Sequence, residues 1–243
     1  MILRLLLAEG LKIKRTWMVI LPMLGALGIL AVLIVDYRLR SEYILGKYPD
    51  TVTGFLLEAQ IILPITILIG GSLLASLAGS MEHQGNAWKY VLALPVSRWQ
   101  VYLAKFLILF FLMLLFSGGA TVSLACLWKG LGLTGEVPWK TLAMGVTWPV
   151  IAALPVLAIQ LTLSLRMNNQ SVPIIVGVLG ALFAPAFANW LPWSYVFQVV
   201  PVDYAMSRRF ENDPSLWLPI ALGEGLIFFI VGMALFQRQE VHS

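Results

Sequence analysis

EHQGNAWKYVLALPVSRWQVYLAK, residues Glu82 to Lys105, is the most polar stretch between two long apolar runs. It opens on an acid, passes a Gly85-Asn86 break and continues as an amphipathic segment from Trp88 to Leu94. Pro95 ends that segment, because proline cannot donate to a helix ladder and restricts the residue before it. Ser97 then stands where an N-cap for the next helix is wanted. Val91-Leu92-Ala93-Leu94 is too apolar for a freely solvated loop, so it must pack on lipid, on neighbouring helices or on a partner.

The flanking chain explains why one polar interruption matters. Of 243 residues, 60% are hydrophobic and 12% are charged, against about a quarter charged in soluble domains. That leaves too little polar surface to cover a soluble core, so the chain reads as an all-α integral membrane protein. A helix rises about 1.5 Å per residue, so about 20 residues cross a hydrocarbon core of roughly 30 Å. The uncharged runs predict spans at 17–35, 59–81, 106–128 and 141–165, with a last one at 216–236 interrupted by Glu224. Residues 167–202 carry no charge and hold Pro173, Pro185, Pro192 and Pro201. As one helix this run would reach about 54 Å, so the fifth span ends near 188 and 189–215 forms a broken, re-entrant element. The first run is followed by Asp36-Tyr37-Arg38 rather than a small-residue cleavage site, and reads as a retained span.

Residues 1–15 read as an interfacial helix. On a helical wheel Arg4, Lys12 and Arg15 share a face, Glu9 and Lys14 fall outside it, and the cations suit anionic headgroups. The alternative is a plain extension of the first span. The net charge of +4 comes from cations placed mostly at span ends, which is a topology signal and not a nucleic-acid footprint. Six spans place Arg4, Lys12, Lys14, Arg15, Lys89, Arg98, Lys105, Arg166 and Arg238 on one side against Glu9, Glu82 and Glu240. The excess of cations predicts that both termini are cytoplasmic. Trp17, Trp128, Trp139, Trp190, Trp193 and Trp217 fall near span ends, as an aromatic belt requires.

No enzyme constellation is present. A phosphate-binding loop needs G-x-x-x-x-G-K-[S/T], and the only Gly-Lys, Gly46-Lys47, runs into Tyr48. His83 and His242 are too few and too far apart for a metal site, and Cys126 is single, so no disulfide closes within the chain. The expectation is therefore no catalytic residue, no metal and no cofactor held by this chain. Two acids near or within spans are functional candidates, since ionisable groups are costly at membrane depth. Glu58 is a candidate substrate-path residue, with a solvated carboxylate at the interface as the bland reading. Glu224, between Gly223 and Gly225, could face a cavity, pair with a cation or stay protonated.

Glu82, Gly85, the Leu94-Pro95-Val96-Ser97-Arg98 run and Lys105 resemble the E…G-T…L-P-[VI]-S-R…K pattern between the second and third helices of ABC-2 type transporter permeases, with Asn86 in place of the usual Thr. The opening Leu3-Arg4 and Ala8-Glu9-Gly10-Leu11-Lys12-Ile13-Lys14-Arg15-Thr16-Trp17 is similar to the subgroup serving lantibiotic immunity and bacitracin resistance. The resemblance covers the first 105 residues, and beyond them span count and the broken element before the last helix agree. It implies six transmembrane helices and a cytoplasmic coupling helix at about 85–94, seated in a groove on a separate ATPase. Glu82, Gly85, Trp88, Lys89, Leu92, Leu94, Pro95, Ser97 and Arg98 would form that docking segment. It further implies two ATPase subunits carrying ATP and Mg, a second permease, identical or homologous, and membrane-active peptides or lipids as substrates in a bacterial plasma membrane. Two other readings use the same spans: an immunity or sensor protein without an ATPase, and a secondary transporter built on Glu224.

Overall fold

The computed structural model describes residues 2–14, 16–48, 50–83, 97–133, 135–186, 189–202 and 212–238. Within them the chain is all-helical, with no strand. Helix α1 spans Ile2–Lys14, α2 Ile20–Lys47, α3 Thr51–His83, α4 Arg98–Gly130, α5 Trp139–Ala152, α6 Leu154–Arg166, α7 Ser171–Phe183 and α8 Pro214–Gln237. Single 3-10 turns lie at Ala184–Ala186 and Tyr195–Phe197.

Four helices, α2, α3, α4 and α8, are long and apolar enough to cross a membrane. At 33 residues each, α3 and α4 reach about 50 Å, longer than a hydrocarbon core of about 30 Å. Helices α5 and α6 are long and apolar enough only as a pair, bent by 44°, which makes them a broken span or a re-entrant loop. The charge-bounded reading has one helix at 141–165. Pro155 stands in the first turn of α6, where its missing N–H and its ring interrupt the ladder after Ala152. The span read at 17–35 runs on to Lys47 as helix, with non-helical backbone at Arg40. The span read at 167–188 is a 13-residue helix continued by the turn at Ala184–Ala186.

Helix α3 is the axis of the bundle and packs against α2, α6 and α7. Close approach comes from small residues, as expected where lipid tails are as apolar as leucine and helices gain by tight packing. A Cβ added at Gly79 would collide with the Ser164 carbonyl of α6. Polar bonds add to this packing. Gln60 Nε2 donates to Gly145 O at 2.7 Å, and the Gln160 amide, assigned in the orientation that satisfies both of its ends, donates to Pro173 O at 3.0 Å and accepts from Gly177 N at 3.1 Å.

The described part of the element before α8 folds onto the bundle, with Tyr195, Val196, Gln198 and Val199 buried. Its non-helical backbone is covered by protein, the condition for such backbone at membrane depth. The Tyr195 hydroxyl donates to Trp190 O at 2.6 Å, and Gln198 Nε2 to Asn189 O at 3.0 Å. The tryptophans expected at span ends differ in exposure, Trp193 being half-buried. Trp17, Trp139 and Trp190 are exposed, as a belt requires, whereas Trp128 and Trp217 are buried, Trp128 edge-on to Phe55 at 5.4 Å.

Both described ends of the chain lie on one face. Helix α1 packs on α4, and Arg98 Nη1 at the start of α4 donates to Gln237 O at the end of α8 at 3.0 Å.

Candidate functional site: an ionic knot at the roots of the polar segment

The polar segment leaves the last turn of α3 and re-enters at α4. Ser97 is the N-cap of α4, with extended backbone, and its N–H donates to Gln100 Oε1 at 3.3 Å. Gly85, Trp88, Lys89, Leu92, Leu94 and Pro95 lie outside the described residues. Glu82, His83, Ser97 and Arg98 lie within them and mark the segment's two roots.

At these roots four charges meet. Glu82 is at the end of α3, Lys105 in the second turn of α4, and Glu9 and Lys12 on α1. Lys105 Nζ donates to Glu82 Oε1 at 2.7 Å and to Glu9 Oε2 at 2.8 Å. Lys12 Nζ closes the ring, at 2.7 Å from Glu9 Oε1 and 3.0 Å from Glu82 Oε1. The side chains of Lys105, Glu82 and Glu9 are 2%, 1% and 6% exposed, and that of Lys12 39%. Two ammonium groups against two carboxylates balance the charge. That balance is what makes burial of three ions tolerable, because an unpaired ion there would carry a desolvation cost of several kcal/mol. Burial alone would pull the Lys12 ammonium toward deprotonation. Its bonds to Glu9 and Glu82 outweigh that and hold its pKa above the ordinary lysine value.

The wheel reading of α1 placed Glu9 off the cationic face. In the structure Glu9 and Ile13, one helical turn apart, are buried on α1, and Leu7 and Leu11 are exposed. The acid therefore points inward because Lys105 waits there. Glu9 and Lys105 are 96 positions apart, so nothing local in the sequence signals the pairing. Arg98 adds a second tie, to the end of α8. The residues at the two roots thus contact α1, α3, α4 and α8.

The two membrane-embedded acids lie elsewhere. Glu58, in the second turn of α3, has a side chain with no exposure, so the solvated-interface reading does not hold. Its Oε1 accepts from the Tyr48 hydroxyl at 3.0 Å and stands 3.6 Å from Lys47 Nζ. Glu224 is half-buried on α8 beside Tyr195. The neighbouring Gly225 packs against Leu154 and Pro155, at the break between α5 and α6. Glu58 and Glu224 are thus not brought together with the knot. Among the described residues no group of three His, Cys, Asp or Glu could hold a metal ion.

A family model described as ABC-2 family transporter protein matches residues 5–184, which includes most of α1, both roots of the polar segment and the chain through α7. Comparisons with curated proteins and with solved structures gave no match. The matched range holds every member of the knot, and the apolar helices supply a multi-pass membrane body. The chain belongs to the ABC-2 transporter family, as a membrane-spanning permease subunit.

Proposed function

We propose that this permease is driven by a separate ATPase that docks on the coupling segment 82–105, and that it exports or expels a membrane-active peptide or lipid-like substrate. The observation that carries this reading is the knot. With its two roots tied by buried ion pairs to α1, and by Arg98 to α8, the polar segment would serve as a handle on the bundle. ATP and Mg would sit on the partner, consistent with a sequence lacking a phosphate-binding loop. Closure of an ATPase pair would move the handle, and the helices would rock about an interface between two permeases, identical or homologous. The cation excess at the knot face supports a cytoplasmic placement of that face and of both termini.

The test is co-purification and coupling. The tagged chain, extracted in detergent, should retain a soluble ATPase, and Trp88→Ala or Arg98→Glu should lose both that ATPase and ATP-driven transport while inserting normally. Normal retention and coupling in both variants would refute the docking assignment. Transport that survives ATP depletion but collapses with the proton gradient would favour a secondary transporter centred on Glu224. A chain that retains no ATPase and moves nothing would fit an immunity or sensor protein.

A further inference from the structure

Lys105 and Lys129 are 24 residues apart on α4, about 36 Å along one helix, so the far end of α4 is remote from the knot. There the helix stops on glycine. Gly132 N donates to Lys129 O at 3.1 Å and Leu133 N to Trp128 O at 3.4 Å, the paired bonds of a helix end closed by a left-handed residue, and Gly132 has φ 64°. Gly135, at φ 97°, makes a second left-handed bend, open to glycine because it lacks a Cβ. The two bends bring Glu136 and Trp139 to the same cavity as Lys129, with a volume of about 430 Å³. That volume lies within the roughly 300–1,000 Å³ of small-ligand sites. Val137 and the buried Trp128, edge-on to Phe55, give the cavity its apolar wall.

The lining carries one cation, Lys129, and one anion, Glu136, both exposed. Neither is ion-paired with the other or with any described residue. Opposite charges that share a cavity without closing on each other leave both signs open to a ligand. Trp139, 53% exposed, adds an aromatic face of the kind that attracts an alkylammonium group. An exposed tryptophan beside charges at a span end is the composition of a headgroup layer, not of the hydrocarbon core. We propose that this cavity binds the headgroup of phosphatidylethanolamine. Lys129 takes the phosphate, Glu136 takes the ammonium, and Trp139 offers its face to the ethanolamine arm. An anionic headgroup satisfies Lys129 alone and is repelled by Glu136. Phosphatidylcholine has the same charges, but its quaternary nitrogen has no N–H to donate, so Glu136 favours the primary amine through a charge-assisted hydrogen bond. The inference requires that the chain span a membrane, and it rests on neither the ATPase nor the transported substrate.

The test offers the full-length chain in detergent equal amounts of phosphatidylethanolamine, phosphatidylcholine and phosphatidylglycerol with matched acyl chains, and reads bound lipid by native mass spectrometry. No ATPase is present, so a failure of transport leaves the result standing. The wild type should retain phosphatidylethanolamine about three- to fivefold over each of the others, the scale of an ion pair exposed to solvent. Glu136→Gln should bring phosphatidylethanolamine down to the level of phosphatidylcholine, because Glu136 tells the two ammonium groups apart. Lys129→Gln should lower both zwitterionic lipids together, because they share the phosphate. Lys140→Gln, which removes an exposed cation outside the cavity lining, should leave the wild-type order intact. All three side chains are exposed, so the variants keep the fold. Equal retention of the three lipids by the wild type overturns the inference, as does a preference for phosphatidylglycerol, which marks a site for anions. A phosphatidylethanolamine preference that survives Glu136→Gln, or that Lys140→Gln abolishes as fully as Lys129→Gln, overturns it as well.

Discussion

Lys105→Met removes the central cation of the knot at nearly constant volume. The lysine holds two carboxylates at 2.7 and 2.8 Å and is 2% exposed, so neither solvent nor a spare cation can simply replace it. Removing one partner of a buried ion pair typically costs about 3–5 kcal/mol, because the remaining charge stays desolvated. Here Lys12 keeps one bond to each carboxylate and is 39% exposed, which admits water and limits the damage. The expected loss is therefore about 3 kcal/mol, the low end of that range. For a chain of this length it corresponds to a fall of roughly 6–12 °C in unfolding midpoint. Tryptophan fluorescence of the detergent-solubilised protein during a thermal ramp reads it. The decisive variant is Glu82→Gln with Lys105→Met, which removes one charge of each sign. It should be less damaged than the sum of the single variants by at least about 1.5 kcal/mol, an interaction energy of the size that contacting residues show. Single losses below about 0.5 kcal/mol, or additivity within that margin, would refute the view that the knot is an energetic unit.

Other consequences can be checked directly. Glu9→Gln should loosen α1 from α4 while sparing α3, read as faster amide exchange confined to residues 2–14. Gly79→Val drives a side chain into the Ser164 carbonyl and should cost about 1–3 kcal/mol or more through overpacking, with reduced yield of folded protein. Asp50 caps α3 by accepting from Val52 N at 3.0 Å and Thr53 N at 2.9 Å, so Asp50→Ala should lower stability by about 1 kcal/mol. Its bonds with Thr53 hold the Asp50 pKa below the ordinary aspartate value of 3.8. A lowered folded pKa means that its stabilisation is present above that value and is lost as pH falls through the folded pKa. The wild type should therefore approach the Asp50→Ala variant in stability only in that acid window.

The sequence alone determined the solvent of this protein and much of its punctuation. Composition made it a membrane chain, and uncharged runs located the helices, because the length of a run and its lack of charge are local properties. Ser97 was legible as a cap, since capping depends on residues within one turn. Glu58 and Glu224 stood out because acids in apolar runs are rare. Only the tertiary structure decided what the charges do. The wheel put Glu9 off the cationic face of α1, and it is instead buried against Lys105, because its partner is distant in the chain. Glu58 reads as a surface carboxylate by position, yet Tyr48 and Lys47 cover it. Trp128 and Trp217 read as belt residues by position, yet they are core. Hydropathy is blind to such differences for a physical reason: lipid tails and a neighbouring helix are equally apolar, so the lipid-facing and protein-facing sides of a membrane helix carry the same residues. Which side faces inward is settled by where small residues let backbones meet, as at Gly79, and by where opposite charges 70 or 96 positions apart find each other.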